Sequence, residues 1–219
     1  MPFSADEFLN TFAEYNRAFW PLVAAAWLAS FVVAAGARRG AKRTTGALSL
    51  LLAALWLWSA VFYHAMIFTR INPLAWLFSG LFAAEGVAMA LAWRWQLLTA
   101  FDWRGWRGWA GEILIGYALA YPAVSLASQH AYPALPLFNV PCPTAILTLG
   151  VLLAARQRRW WLSTVPIIWS AIGGSAALLF GMTVDYPLLA AGLVAGIGLA
   201  IPRRAPRVTA PCDTARSPA

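Results

Sequence analysis

Lysine is almost missing from this chain: Lys42 is the single one in 219 residues, beside eight acidic residues, two histidines and two cysteines. Each shortage closes off a chemistry. A retinal Schiff base needs a lysine inside a late membrane span, and Lys42 follows the first apolar run, so a rhodopsin-like function is excluded. Two cysteines cannot build a disulfide framework. No Ser-His-Asp set, His-Glu-x-x-His pair or glycine-rich phosphate loop occurs, which leaves hydrolase and kinase chemistry without support. Charged side chains make up 11% of the chain, far fewer than a soluble domain needs to cover its surface.

What the chain has instead is apolar length. Hydrophobic residues make up 61% and the mean hydropathy is +0.66, so the bilayer is the solvent for most of it. Runs long enough to cross a hydrocarbon core of about 30 Å fall at residues 20–37, 46–68, 73–93, 110–129, 162–181 and 186–201, with a shorter run at 143–155. The reading is an all-α polytopic membrane protein of about seven transmembrane helices.

The basic residues set the orientation. Arg38, Arg39, Lys42 and Arg43 follow the first run; Arg94, Arg104 and Arg107 the third; Arg156, Arg158 and Arg159 the fifth; Arg203, Arg204, Arg207 and Arg216 the last. The alternate loops hold only Arg17 and Arg70. By the positive-inside rule the N-terminus lies outside and the C-terminus in the cytoplasm, and the run at 143–155 must cross for the pattern to hold. Its short length is read as a partly unwound outer entrance. The same loops predict anionic lipids at the cytoplasmic face as partners. The net charge of +8 is thereby used up by topology, and nucleic-acid binding finds no recognition fold.

Ahead of the first run, Ser4 and Glu7 have the spacing of a capping box, and Phe8, Phe12, Tyr15 and Phe19 recur on one helical face. Residues 1–19 are expected to form an outer interfacial helix that enters the membrane at Trp20-Pro21. The acidic start argues that no signal peptide is removed. Trp93, Trp95, Trp103, Trp106, Trp109, Trp160 and Trp161 read as interfacial anchors. Gly192 with Gly196, and Ser170 with Gly174, are small-xxx-small pairs that let helices approach. Residues 202–219 lack periodicity and read as a disordered cytoplasmic tail. Cys142 and Cys212 fall on opposite sides of the membrane, which forbids an intramolecular disulfide.

Ionisable groups inside spans mark candidate sites. Glu85 is placed near the midplane by residue count, with Tyr117, Ser59 and Thr148 at similar depth as hydrogen-bond partners. Either it handles a proton or cation, or it is a neutral acid joining helices. A second group gathers toward the outer ends: His64, Arg70 and Asn72 around one turn, Cys142 between Pro141 and Pro143, and Glu14, Asn16 and Arg17 on the first helix. Together they read as an outward-facing polar vestibule. One thiol and one imidazole, Cys142 and His64, leave a metal ion under-liganded. His64 and His130 as haem ligands meet the objection that His130 falls in a loop. No cofactor is expected.

The segments Glu14-Tyr15-Asn16-Arg17-Ala18-Phe19-Trp20-Pro21, Tyr63-His64 running on to Ile71-Asn72-Pro73-Leu74-Ala75-Trp76-Leu77-Phe78, Glu85, and Pro141-Cys142-Pro143-Thr144 through Gly150 resemble those of an uncharacterised bacterial membrane-protein family. It is domain-of-unknown-function family six-zero-six-four, and the resemblance covers most of residues 1–200. It implies a bacterial inner membrane and brings no established activity; members have sometimes been labelled permeases. Two functional readings stand. One is a small permease or channel-like protein that moves a small solute or ion past Glu85 and the His64/Cys142 group. The other is a non-transporting sensor, assembly or partner-binding protein, with a metal ion near Cys142 and His64 as one option. A continuous polar path would separate them.

Overall fold

A computed structural model describes residues 3–128, 131–157 and 159–201. The expected tail at 202–219, together with Cys212, His130 and Arg158, lies outside the described residues. Among those described there are seven α-helices and no β-strand: α1 (Ala5–Arg38), α2 (Lys42–Trp58), α3 (Ala75–Arg94), α4 (Gly105–Leu126), α5 (Pro141–Ala154), α6 (Thr164–Phe180) and α7 (Tyr186–Ala200). Six helical stretches are long and apolar enough to span a membrane, and α5 is a shorter apolar helix.

The α1 helix starts where its sequence says it should. Ser4 Oγ accepts from the Glu7 N–H at 3.2 Å, and Glu7 Oε2 accepts from the Ser4 N–H at 2.7 Å, closing the capping box. It does not stop at the expected joint: Pro21 lies inside one unbroken helix of 34 residues, about 51 Å long at 1.5 Å per residue. Inside an apolar environment a helix keeps all the backbone bonds it can, so one proline is accommodated. The aromatic face of its first half packs on the bundle, with Phe12 and Tyr15 buried. Tyr15 Oη donates to the Asn139 carbonyl at 2.9 Å and accepts from Trp58 Nε1 at 2.7 Å, while Asn16 Nδ2 donates to the carbonyls of Pro133 and Leu135, both at 2.8 Å. These bonds fasten α1 to the connection that leads into α5.

Short as it is, α5 is the core. All of its residues except Cys142 are buried, and it packs against α2, α4, α6 and α7. A helix sheathed in protein need not match the thickness of the bilayer, because its ends are satisfied by protein rather than by headgroups. At its last turn the Asp102 N–H donates to the Ala154 carbonyl and the Arg156 N–H to the Ala100 carbonyl, each at 2.8 Å, around a bridge between Phe101 and Ala155. Against α4 the contact is backbone on backbone: a Cβ at Gly111 would sit 2.7 Å from the Gly150 carbonyl oxygen. A Cβ at Gly192 would overlap the Ser170 hydroxyl, so that pair sets the α6–α7 approach, whereas one at Gly196 meets nothing within 4 Å.

Two ends of the bundle differ. One end carries the start of α1, α3, α5 and α7. The other carries the arginine-rich connections and exposed Trp93, Trp95, Trp106, Trp109 and Trp160.

Candidate functional site

At the end where α1 begins, α2 does not finish as an α-helix. Ser59–Ala65 continues it as a π-helix, with Met66 N–H reaching back to the Val61 carbonyl at 3.0 Å, followed by a 3-10 turn at Phe68–Arg70. Such wide turns shift side chains relative to a regular helix and are frequent at functional sites. Here the shift turns Tyr63 and His64 inward, where both are buried. The His64 ring lies 4.6 Å from Phe82, 5.2 Å from Trp169 and 5.9 Å from Phe78, centroid to centroid. Neither of its ring nitrogens has a hydrogen-bond partner.

Trp169 on α6 carries this aromatic cluster to a cavity of about 280 Å³. Phenylalanines from α1, α6 and the turn before α3 make its wall: Phe8 stacks on Phe180 at 5.0 Å and Phe3 on Phe180 at 5.6 Å, across the opening between α1 and α6. Cys142, Asp185 and Asn72 bring polar atoms to the same lining.

Asp185 stands just before α7 in the capping position, yet its side chain makes no capping bond. Its carboxylate instead is buried and accepts from the Tyr121 hydroxyl on α4 at 2.6 Å, with the Cys142 thiol beside it. Tyr117, one turn before Tyr121, donates to the Val184 carbonyl at 2.6 Å. Cys142 lies on the first turn of α5, held by prolines on both sides and by the Val140 cap. The Trp169 indole N–H has no acceptor and lies against the Cys142 sulfur. One small volume thus joins the first turns of α5 and α7 to α4 and α6.

The residues expected to form a vestibule divide. Asn72 and Cys142 line the cavity; Asn72 Oδ1 also accepts from the Leu74 N–H at 3.1 Å. His64 stands behind Trp169 and does not line it. Arg70 is exposed and pairs with Glu14 at 2.7 Å, Arg17 is exposed, and Asn16 is bonded to the loop before α5. The deeper group divides as well. Tyr117 belongs with Val184 and Asp185, Thr148 accepts from Trp56 Nε1 at 2.9 Å, and Ser59 Oγ and Glu85 Oε1 are buried without partners. Glu85 lies one turn along α3 from Phe82, on the same buried face. Among the described residues, no three His, Cys, Asp or Glu side chains gather to hold a metal ion.

Asp185, Tyr121 and Trp169 were not singled out by the sequence. A signal existed for Asp185: an aspartate followed by Tyr186-Pro187 at the head of an apolar run marks a helix start, and that helix buries it.

A sequence-family profile described as a family of unknown function, DUF6064, matches residues 5–209. No curated protein and no solved structure matches the chain.

Proposed function

This chain belongs to the family of unknown function DUF6064, and from that premise we propose a multi-pass protein of the bacterial inner membrane, N-terminus outside, that binds a small, mainly apolar molecule bearing one hydrogen-bonding group. The observation that carries the reading is the cavity of about 280 Å³, lined mainly by phenylalanines and other apolar residues together with Asp185 and Cys142. Its size stands at the lower end of ligand pockets, which begin near about 300 Å³, and its make-up is theirs: apolar walls and a few convergent polar atoms that fix orientation. A hydroxyl or amine on the ligand would donate to Asp185 while the remainder packs on Phe8, Phe12 and Phe180.

The test is titration of the purified chain with an apolar fluorescent probe such as N-phenyl-1-naphthylamine. Saturable binding is expected, lost in Ala176→Phe, which fills the cavity. Unsaturable binding, or binding indifferent to that substitution, overturns the reading. Orientation has its own test: a membrane-impermeant thiol reagent on intact cells should label Arg70→Cys and spare Gly40→Cys in a background without native cysteines.

A permease or channel-like function is favoured by a different observation. Buried polar atoms without partners continue inward from the cavity wall, through Trp169 Nε1 and both His64 nitrogens, with Glu85 Oε1 one turn beyond Phe82. In a low-dielectric interior such groups favour passing water, protons or a polar solute. Proton flux in proteoliposomes, abolished by Glu85→Gln, would support it; flux equal to empty vesicles would sink it.

A further inference from the structure

The arginine end of the bundle holds a second cavity, of about 320 Å³, between the end of α1, the start of α2 and the segments that follow α3 and α5. Arg38, Arg39 and Arg156 line it together with Thr45 and Thr99. Its wall is fixed by backbone: the Phe101–Ala155 bridge and the 2.8 Å bond from the Arg156 N–H to the Ala100 carbonyl hold the two connections side by side. Arg38 is paired with Glu112 and lies over the Trp103 ring at 5.6 Å. Arg39 and Arg156 have no acidic partner among the described residues. Both arginines are exposed, so water can solvate them; what the cavity offers is two guanidinium groups in one place, whose planar forks match the oxygens of a phosphate.

Arg38 and Trp103 also head a second feature. An apolar groove runs from them between α1 and α4, lined by Phe31, Ala35, Ile115 and Leu119 with Gly116 open on its floor. From Arg38 back to Phe31 is about 10 Å along the helix. The groove closes where Trp27 Nε1 donates to the Leu119 carbonyl at 2.7 Å. Phe31 in its lining is exposed, and Val32 and Ile113, sequence neighbours of lining residues, are exposed apolar residues as well, as a face turned to hydrocarbon would be.

We propose that cavity and groove together are a site for one phospholipid of net negative charge, its phosphate between Arg39 and Arg156 and one acyl chain along α1 and α4. A basic cavity alone would suit any soluble anion, and an apolar groove alone any lipid tail. Their junction at Arg38 and Trp103 selects a molecule that has both. Because the two free arginines outnumber the charge of a zwitterionic headgroup, the preference runs to anionic lipids.

Native mass spectrometry of the full chain, delipidated in detergent, tests this with phosphatidylglycerol, phosphatidylcholine of the same chains, and inorganic phosphate. Phosphatidylglycerol should bind at least about tenfold more tightly than phosphatidylcholine. Arg39→Gln with Arg156→Gln should erase that preference, while Arg94→Gln, outside the cavity, should keep it. Gly116→Leu fills open space, since a Cβ there meets nothing within 4 Å; it should weaken phosphatidylglycerol and leave inorganic phosphate unaffected. Equal binding of the two lipids, or a preference that survives the double substitution, overturns the proposal. So does phosphatidylglycerol binding that Gly116→Leu leaves unchanged and inorganic phosphate displaces, which would mark a soluble-anion site. Should the arginine double variant lose its helical circular dichroism, the Gly116→Leu arm decides.

Discussion

The Tyr121 hydroxyl donates to Asp185 Oδ1 across 2.6 Å, with both side chains buried, and so ties the inner face of α4 to the first turn of α7. A buried acceptor left alone costs about 1–3 kcal/mol. Tyr121→Phe should therefore destabilise the protein by that order. Asp185→Asn, which keeps an acceptor oxygen, should cost less. The double variant Tyr121→Phe/Asp185→Leu should lose less than the sum of its two single changes, because each already removes the same bond. Thermal unfolding in detergent gives all the values; additive losses would mean that the bond is not what couples the two helices.

Glu85 gives an opposite expectation. It is buried on α3, and Oε1 finds no partner. Replacing a buried, incompletely bonded polar group by an apolar one of similar volume is often stabilising. Glu85→Met should raise the unfolding midpoint, by an amount equivalent to about 1–3 kcal/mol. A clear loss of stability would mean that the carboxyl is a structural joint between helices, and would remove it from any conduction path.

The sequence is legible where one dimension suffices. Apolar runs located the helices, Ser4 and Glu7 announced the first cap, and the small pairs Gly192/Gly196 and Ser170/Gly174 marked helices that approach closely, although of the first pair only Gly192 is at the contact. The site is not one-dimensional. Tyr117 and Glu85 were grouped by depth, but equal depth does not make neighbours: α4 packs against α5 and α1, whereas α3 packs against α2 and α6. The polar cluster around Asp185 arises because the starts of α5 and α7 meet α4 and α6 at one place, and no local pattern encodes that meeting. Pro21 is the converse case, a local signal for a boundary that the long apolar context of α1 overrides.

Backbone contact between Gly111 and Gly150 leads to a test of the core. Here a side chain would strike a carbonyl rather than the flexible end of another side chain, so relief requires α4 and α5 to separate. Gly111→Ala should destabilise by about 1–3 kcal/mol, the usual cost of overpacking. Gly196→Ala, on an open face, should be neutral or slightly favourable, since alanine is the better helix former. Equal melting temperatures for the two variants would show that α4 and α5 have room to move apart.

Cys142 and His64, the two residues whose chemistry first suggested a metal ion, both touch Trp169, but only Cys142 lines the cavity. Cys142 faces the cavity, while the His64 imidazole is packed against Phe82 at 4.6 Å and Trp169 at 5.2 Å. Among the described residues no third His, Cys, Asp or Glu joins them to hold a metal ion. Zinc prefers four ligands at about 2.0–2.3 Å, and one thiol with one aromatic-packed imidazole falls short of that set. Zn²⁺ should therefore leave the melting temperature of the wild type unchanged, and Cys142→Ser should be as stable as wild type. A Zn²⁺-dependent rise that vanishes in both Cys142→Ser and His64→Ala would require the two side chains to meet around the ion, and with it a rearrangement of the aromatic packing that holds His64.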